Sequence, residues 1–169
     1  DVMVWNGFLF IGTSYNPDYR NLKTARTNEY AIEILKEYFP KKRIIDLDLK
    51  KNDTKPYEGI LHLDCTFNIV GEDKCIIYKN GFVDELDYQL LLDIFGEENC
   101  FEVNDKEMFE MNPNIFSIAP DVVVSDKAFT RLNRHLRDEW GITVEEIPYR
   151  EISKMGGLLR CSTLPLVRE

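Results

Sequence analysis

The sequence predicts an α/β fold built from three consecutive strand-strand-helix-strand units. Three observations carry this. The element order recurs three times along 169 residues. The expected helix starts, Thr27, Asp84 and Ser125, fall 57 and 41 residues apart (84 − 27 and 125 − 84), so the repeat is structural without being a sequence repeat. Each unit is also too small to bury both faces of its strands and helix alone, so the units must pack around a shared centre with helices outside. A ring of such units normally needs more than three. At 44% hydrophobic and 12% aromatic residues, the chain can fill the core of one domain.

The first unit opens with apolar runs at residues 2–5 and 8–11 around Asn6-Gly7, the dipeptide that favours a two-residue hairpin turn. After a loop containing Asn16-Pro17-Asp18, Thr27 is placed to cap a helix. Ala31, Ile34, Leu35 and Tyr38 recur there at helical spacing, and Pro40 ends it. Residues 43–49 read as the closing strand. The second unit follows with a strand at 61–70, a turn at 71–73, a strand at 75–78, a helix from about Asp84 to Phe95 and a short strand at 100–103. The third has strands at 115–118 and 122–124, a Ser125-capped helix with Phe129, Leu132 and Leu136 inward, Gly141 at its end, and a strand at 143–147.

Charge and cysteine usage exclude several functions. Lys+Arg 21 against Asp+Glu 30 gives −9 with no basic block, which disfavours nucleic acid and anionic membranes and suits a cationic ligand. No apolar run approaches the ~20 residues of a membrane span, and residues 1–10 lack signal-peptide features, so the chain reads as cytosolic. Cys65, Cys75, Cys100 and Cys161 contain no C-x-x-C pair, and with two histidines they offer neither a structural zinc framework nor a disulfide framework by spacing. The chain opens inside a strand with no initiator Met, which reads as part of something longer.

Two stretches carry chemistry. If residues 61–70 are one extended strand, His62, Asp64, Thr66 and Asn68 share a polar face while Leu61, Leu63, Cys65, Phe67 and Ile69 face the core. A solvated outer face accounts for that pattern as well as a site does. The second stretch is Met155-Gly156-Gly157-Leu158-Leu159-Arg160-Cys161. Its glycines permit close backbone approach to a ligand, and a following strand would present Cys161. Cys161 and His62 are the available Cys-His pair, 99 residues apart; the alternative for Cys161 is a small buried hydrophobe.

His62-Leu63-Asp64, Gly156-Gly157 ahead of Arg160-Cys161, and the ending Pro165-Leu166-Val167-Arg168-Glu169 together resemble arginine deiminases, members of the guanidine-modifying superfamily that also holds amidinotransferases. Residues 62–71 look equally like the corresponding strand of glycine amidinotransferase, and Arg26-Thr27-Asn28 is similar to a substrate-carboxylate motif of the family. The resemblance implies an α/β propeller (pentein) of five ββαβ units, with residues 1–169 as its C-terminal three. It implies Cys161 as nucleophile and His62 as acid and then base. Asp64 would accept the guanidinium, Arg26 would pair with a substrate carboxylate, and Gly157 would belong to a loop over the intermediate or a tight turn. Arg20 competes with Arg26. His135 reads as a partly exposed helix residue, and Thr66 and Asn68 as support for the site.

The implied activity is hydrolysis of arginine to citrulline and ammonia, with amidino transfer to an acceptor amine as the alternative and an idle propeller acting as a binding module as a third reading. No metal or organic cofactor is implied; the expected partner is a small guanidine, and assembly into a homo-oligomer is left open. The family's acidic residue that orients the histidine lies three positions before the one aligned with Asp1, so Asp1 itself is expected to be a structural hydrogen-bonding residue.

Overall fold

A computed structural model of the protein describes residues 1–55 and 57–164. Asn6 and Gly7 both take positive φ, 40° and 85°, giving the turn whose twist matches paired strands. They join β1 (Val2–Trp5) to β2 (Phe8–Thr13), and β2 then runs parallel to β3 (Arg43–Asp48) across α1 (Glu29–Tyr38). The plan repeats with β4 (Phe67–Val70), β5 (Lys74–Ile77), α2 (Glu85–Phe95) and β6 (Cys100–Glu102). After a short α3 (Asp105–Phe109) it repeats once more with β7 (Phe116–Ala119), β8 (Val122–Asp126), α4 (Thr130–Asp138) and β9 (Thr143–Ile147). Each unit forms its own three-stranded sheet, with the first pair antiparallel and the second parallel.

The middle strand explains why the units need one another. All six residues of β2 are buried, and alternation sends them to two different places. Leu9 and Ile11 pack with Ile32 of α1, whereas Phe8 and Phe10 enter the core shared by all three units. There the Phe10 ring sits 5.4 Å from Phe67 and 5.9 Å from Phe95, both of the second unit. The second and third units are tied by a polar link: the buried Asn68 amide donates to the carbonyls of Pro113 at 2.7 Å and Ile115 at 2.9 Å. Among the described residues, no helix is long and apolar enough to cross a membrane.

Several sequence expectations are corrected. The cap of α1 is Asn28, whose side chain accepts from the Ala31 N–H, rather than Thr27. Its inward face is Ile32 with Leu35, while Ile34 and Tyr38 are exposed, because the helix starts one turn position later than the Thr27 register assumes. Ser125 caps nothing; it lies buried in β8 and its hydroxyl bonds Asn133. The expected strand at 61–70 exists only as Phe67–Val70, because Leu63–Cys65 closes into a 3-10 turn. Thr66 and Asn68 therefore do not share a solvent face with His62 and Asp64. Both are buried, and Thr66 bonds the Tyr78 carbonyl. Helix α3 was not anticipated, although Asn104 and Glu107 form a full capping box there. Phe129, Leu132 and Leu136 face inward as expected.

Phe10 fills the junction between two units, so Phe10→Ala should destabilise the fold by about 3–5 kcal/mol through lost burial and a residual cavity. Urea unfolding followed by circular dichroism measures this; a loss below about 1 kcal/mol would show that the shared core does not hold the units together.

Candidate active site

The 3-10 turn that breaks the expected strand also builds the site. Leu63 and Cys65 point into the core and are fully buried, so the flanking His62 and Asp64 are left facing the other way. The segment is braced from two sides. The Asp1 carboxylate accepts from the Leu63 N–H at 3.2 Å and from the Thr27 hydroxyl at 3.3 Å, the structural role expected of it. Lys51 donates its ammonium to the carbonyls of Ile60 and Leu61, at 2.9 and 3.1 Å, and burial lowers its pKa to about 8. Nothing in the local sequence marks Lys51 for this.

Cys161 is not on a strand. It sits in a tight turn anchored by the buried Leu158 and Leu159, with the Ser162 N–H returning to the Leu158 carbonyl at 3.1 Å. Gly156 takes a φ of +85° to enter the turn. At Gly157 a Cβ would fall 2.7 Å from Cys161 Cβ and 3.1 Å from its sulfur, so any side chain there displaces the thiol. The fully buried Asn114, which the sequence reading missed, fixes the turn. Its Oδ1 accepts from the Leu158 and Cys161 N–H groups at 3.0 and 3.2 Å, and its carbonyl accepts from the Arg160 N–H. Its Nδ2 donates to the Asp64 carbonyl and to the Cys161 sulfur, both at 3.2 Å.

The cluster that results joins segments 99 residues apart. Cys161 Sγ lies 3.6 Å from His62 Nδ1, and 3.6 and 3.8 Å from the Asp64 carboxylate oxygens. The buried Cys65 thiol hydrogen-bonds to Cys161 from behind. That contact, with His62 and the Asn114 amide, holds the Cys161 pKa well below the usual thiol range against the opposing effect of burial. Cys65 is correspondingly pushed up by the same contact and by burial. Asp64 is raised to about 6, first by burial and then by the negative charge of Cys161. Two anionic groups thus share a half-enclosed space, an arrangement that favours a cation between them.

The remaining expected residues are less tightly gathered. Arg26 is exposed in the loop before α1; among the described residues it makes no hydrogen bond or ion pair with His62, Asp64 or Cys161. Its charge reaches Lys51, which bounds the same region. Arg20 is engaged by Tyr19 at 3.2 Å. His135 is wedged between Phe101 and Trp140, which lowers its pKa by burial and gives it a packing role. A cavity of about 460 Å³ abuts the cluster through Leu61, Cys65 and Gly156, with Lys23 and Thr24 at its edge. A larger one of about 910 Å³, lined by Lys50, Tyr78 and Asp105, contains no residue of the cluster. The Pro165–Glu169 ending lies outside the described residues.

Known proteins agree with this geometry. The structure superimposes on the N-terminal domain of cyanobacterial ArgZ with a TM-score of 0.79 at 18% identity, covering 99% of this chain and 55% of that one. That neighbour was solved covalently bound to a reaction intermediate. On the amidinotransferase SxtG from Microseira wollei the TM-score is 0.73 at 17% identity, covering 100% and 44%. The fold is therefore that of the α/β propellers called penteins, of which this chain holds three ββαβ units. The sequence model of the arginine deiminase family matches residues 83–168, and the chain belongs to that family. YkgA of Bacillus subtilis (strain 168), described as uncharacterized, is 30% identical over 169 residues, which are 99% of this chain and 51% of YkgA. The arginine deiminase of Latilactobacillus sakei subsp. sakei (strain 23K) is 40% identical over 67 residues, 40% of this chain and 16% of that enzyme. The chain thus spans about half the length of YkgA and a smaller share of the deiminase.

A thiol with a depressed pKa is a thiolate where ordinary cysteines are not. Iodoacetamide at pH 6 should therefore label Cys161 and spare the buried Cys65 and Cys75, read by peptide mass spectrometry. Losing the amide donor in Asn114→Ala should move the pH midpoint of that labelling up by about one unit, the size expected for a hydrogen bond to a charged acceptor. Uniform labelling of the cysteines would refute the assignment of a thiolate at Cys161.

Proposed function

We propose that the protein hydrolyses the guanidinium group of L-arginine or a close analogue to a urea group and ammonia through a covalent amidino-cysteine. The observation that carries this reading is the Cys161 sulfur held within 3.8 Å of both His62 and the Asp64 carboxylate. The family to which the chain belongs supports it.

The chemistry follows from the charges. A guanidinium entering the cluster places its N–H groups against Asp64, which accepts them in the paired geometry that carboxylates make with this group. The cation offsets the repulsion between Asp64 and the thiolate and makes the central carbon electrophilic. The Cys161 sulfur attacks that carbon, a C–N bond breaks, and His62 delivers a proton to the departing ammonia. The carbon is left bonded to sulfur as an amidino-thioether. Water then adds to the same carbon, His62 takes a proton from it, and the C–S bond breaks to return the thiolate. Gly157 gives the sulfur room through both half-reactions, and Arg26 is assigned to the substrate carboxylate. Asn114 acts through Cys161 and is a positioning residue.

Amidino transfer is the second reading, favoured by the fit to SxtG and by the Thr66-Phe67-Asn68 run. It differs in which group leaves and in whether an amine or water resolves the thioether. Acid-quenching the intact protein with arginine should leave an amidino adduct on the peptide containing Cys161. His62→Ala should slow turnover by at least about 100-fold. Assays with and without glycine separate citrulline from a transferred amidino group, and neither an adduct nor a product would refute both readings.

The pH profile tests Asp64. Its pKa lies near 6, so protonation below that value removes the guanidinium acceptor while Cys161 is still a thiolate. The value of kcat/KM should fall as pH drops through about 6. A profile that stays flat through pH 6 would remove Asp64 from substrate binding.

A further inference from the structure

We infer that His62, Asp64, Cys65 and Cys161 form a tetrahedral site for zinc or a similarly thiophilic divalent cation. One donor atom from each residue lies within 4.8 Å of all the others. The individual separations are closer: 3.6 Å from Cys161 Sγ to His62 Nδ1 and to Asp64 Oδ1, 3.9 Å from Asp64 Oδ1 to Cys65 Sγ, and 4.0 Å from His62 Nδ1 to Asp64 Oδ1. Zinc bonds of about 2.3 Å to sulfur and about 2.0–2.1 Å to nitrogen or oxygen place tetrahedral donors roughly 3.3–3.8 Å apart. The cluster closes onto an ion with side-chain shifts of a few tenths of an ångström.

The donor chemistry selects the class of ion. Two sulfurs with an imidazole and one carboxylate suit zinc and its soft neighbours, and disfavour magnesium or calcium, which take oxygen shells. Cys65 is the distinguishing element. Without it the set is three donors on one side of the space; with it a fourth approaches from the buried side, where no water competes. Three donors come from the single turn at residues 62–65, braced by Lys51 and Asp1, and the fourth from the turn that Asn114 fixes. The site is thus largely organised before an ion arrives. As the ion binds, Cys65 releases its thiol proton to solvent and the sulfur lone pair forms the new bond, while Cys161 contributes as the thiolate it already is.

Binding rests on this donor geometry and not on the guanidine reading. Where that reading also holds, the ion sits on the attacking sulfur and excludes the cationic substrate, so zinc is a reversible inhibitor competitive with arginine.

The test reads binding before turnover. Intact, reduced protein is titrated with zinc against a chromophoric chelator, and cobalt(II) replaces zinc for spectroscopy. One equivalent should bind, and the cobalt form should show thiolate-to-metal charge transfer in the near ultraviolet with visible bands of tetrahedral intensity. Cys65→Ser should weaken zinc binding about tenfold or more and remove about half of the charge-transfer intensity. Cys161→Ser, checked for folding by circular dichroism, should do the same. No stoichiometric uptake, an octahedral cobalt spectrum, or uptake unchanged in both variants would overturn the inference. Because none of these readouts requires catalysis, a protein that binds zinc but leaves arginine untouched separates the two readings.

Discussion

One buried carboxamide holds the site together. The Asn114 side chain is satisfied on both ends, its oxygen by two backbone amides of the cysteine turn and its nitrogen by the Asp64 carbonyl and the Cys161 sulfur. A fully buried amide left without partners costs about 1–3 kcal/mol, so this side chain has one acceptable environment, and that environment exists only when both turns are in register. The thiol and the His62-Asp64 turn are therefore positioned relative to each other by the protein interior. They do not depend on weak contacts between two exposed loops.

The interior can do this because the units share it. Each middle strand is buried on both faces, one against its own helix and one against the common centre, so no unit reaches its packed state alone. The Asn68 amide, reaching to Pro113 and Ile115, carries that dependence to the segment holding Asn114. Core packing and site geometry are consequently two aspects of one arrangement.

Much of this was legible in the sequence. Turn chemistry at Asn6-Gly7 and helical periodicity located nearly every strand and the three main helices, because those signals are local. The failures are also physical. Alternation of polar and apolar residues through 61–70 imitates a strand, and only the 3-10 closure at Leu63–Cys65 shows that the pairing of His62 with Asp64 comes from a turn. Thr27 and Asn28 are both competent caps, and choosing the wrong one rotated the expected face of α1. His62, Asp64 and Cys161 were found through chemistry and resemblance. Asn114 and Lys51 were not, because their partners lie 44–50 and 9–10 residues away and nothing nearby distinguishes a buried amide or ammonium from a solvated one.

The crowding of Asp64 against the Cys161 sulfur also gives the site a direction. Two negative groups 3.6 Å apart in a half-buried space attract a compact cation strongly and a neutral molecule hardly at all. Any reaction that converts a guanidinium into an uncharged urea there abolishes the attraction at the moment it finishes, while an unreacted cation stays bound. The same repulsion that costs the empty protein stability thereby acts as a clearing mechanism, releasing what has been processed and keeping what has not.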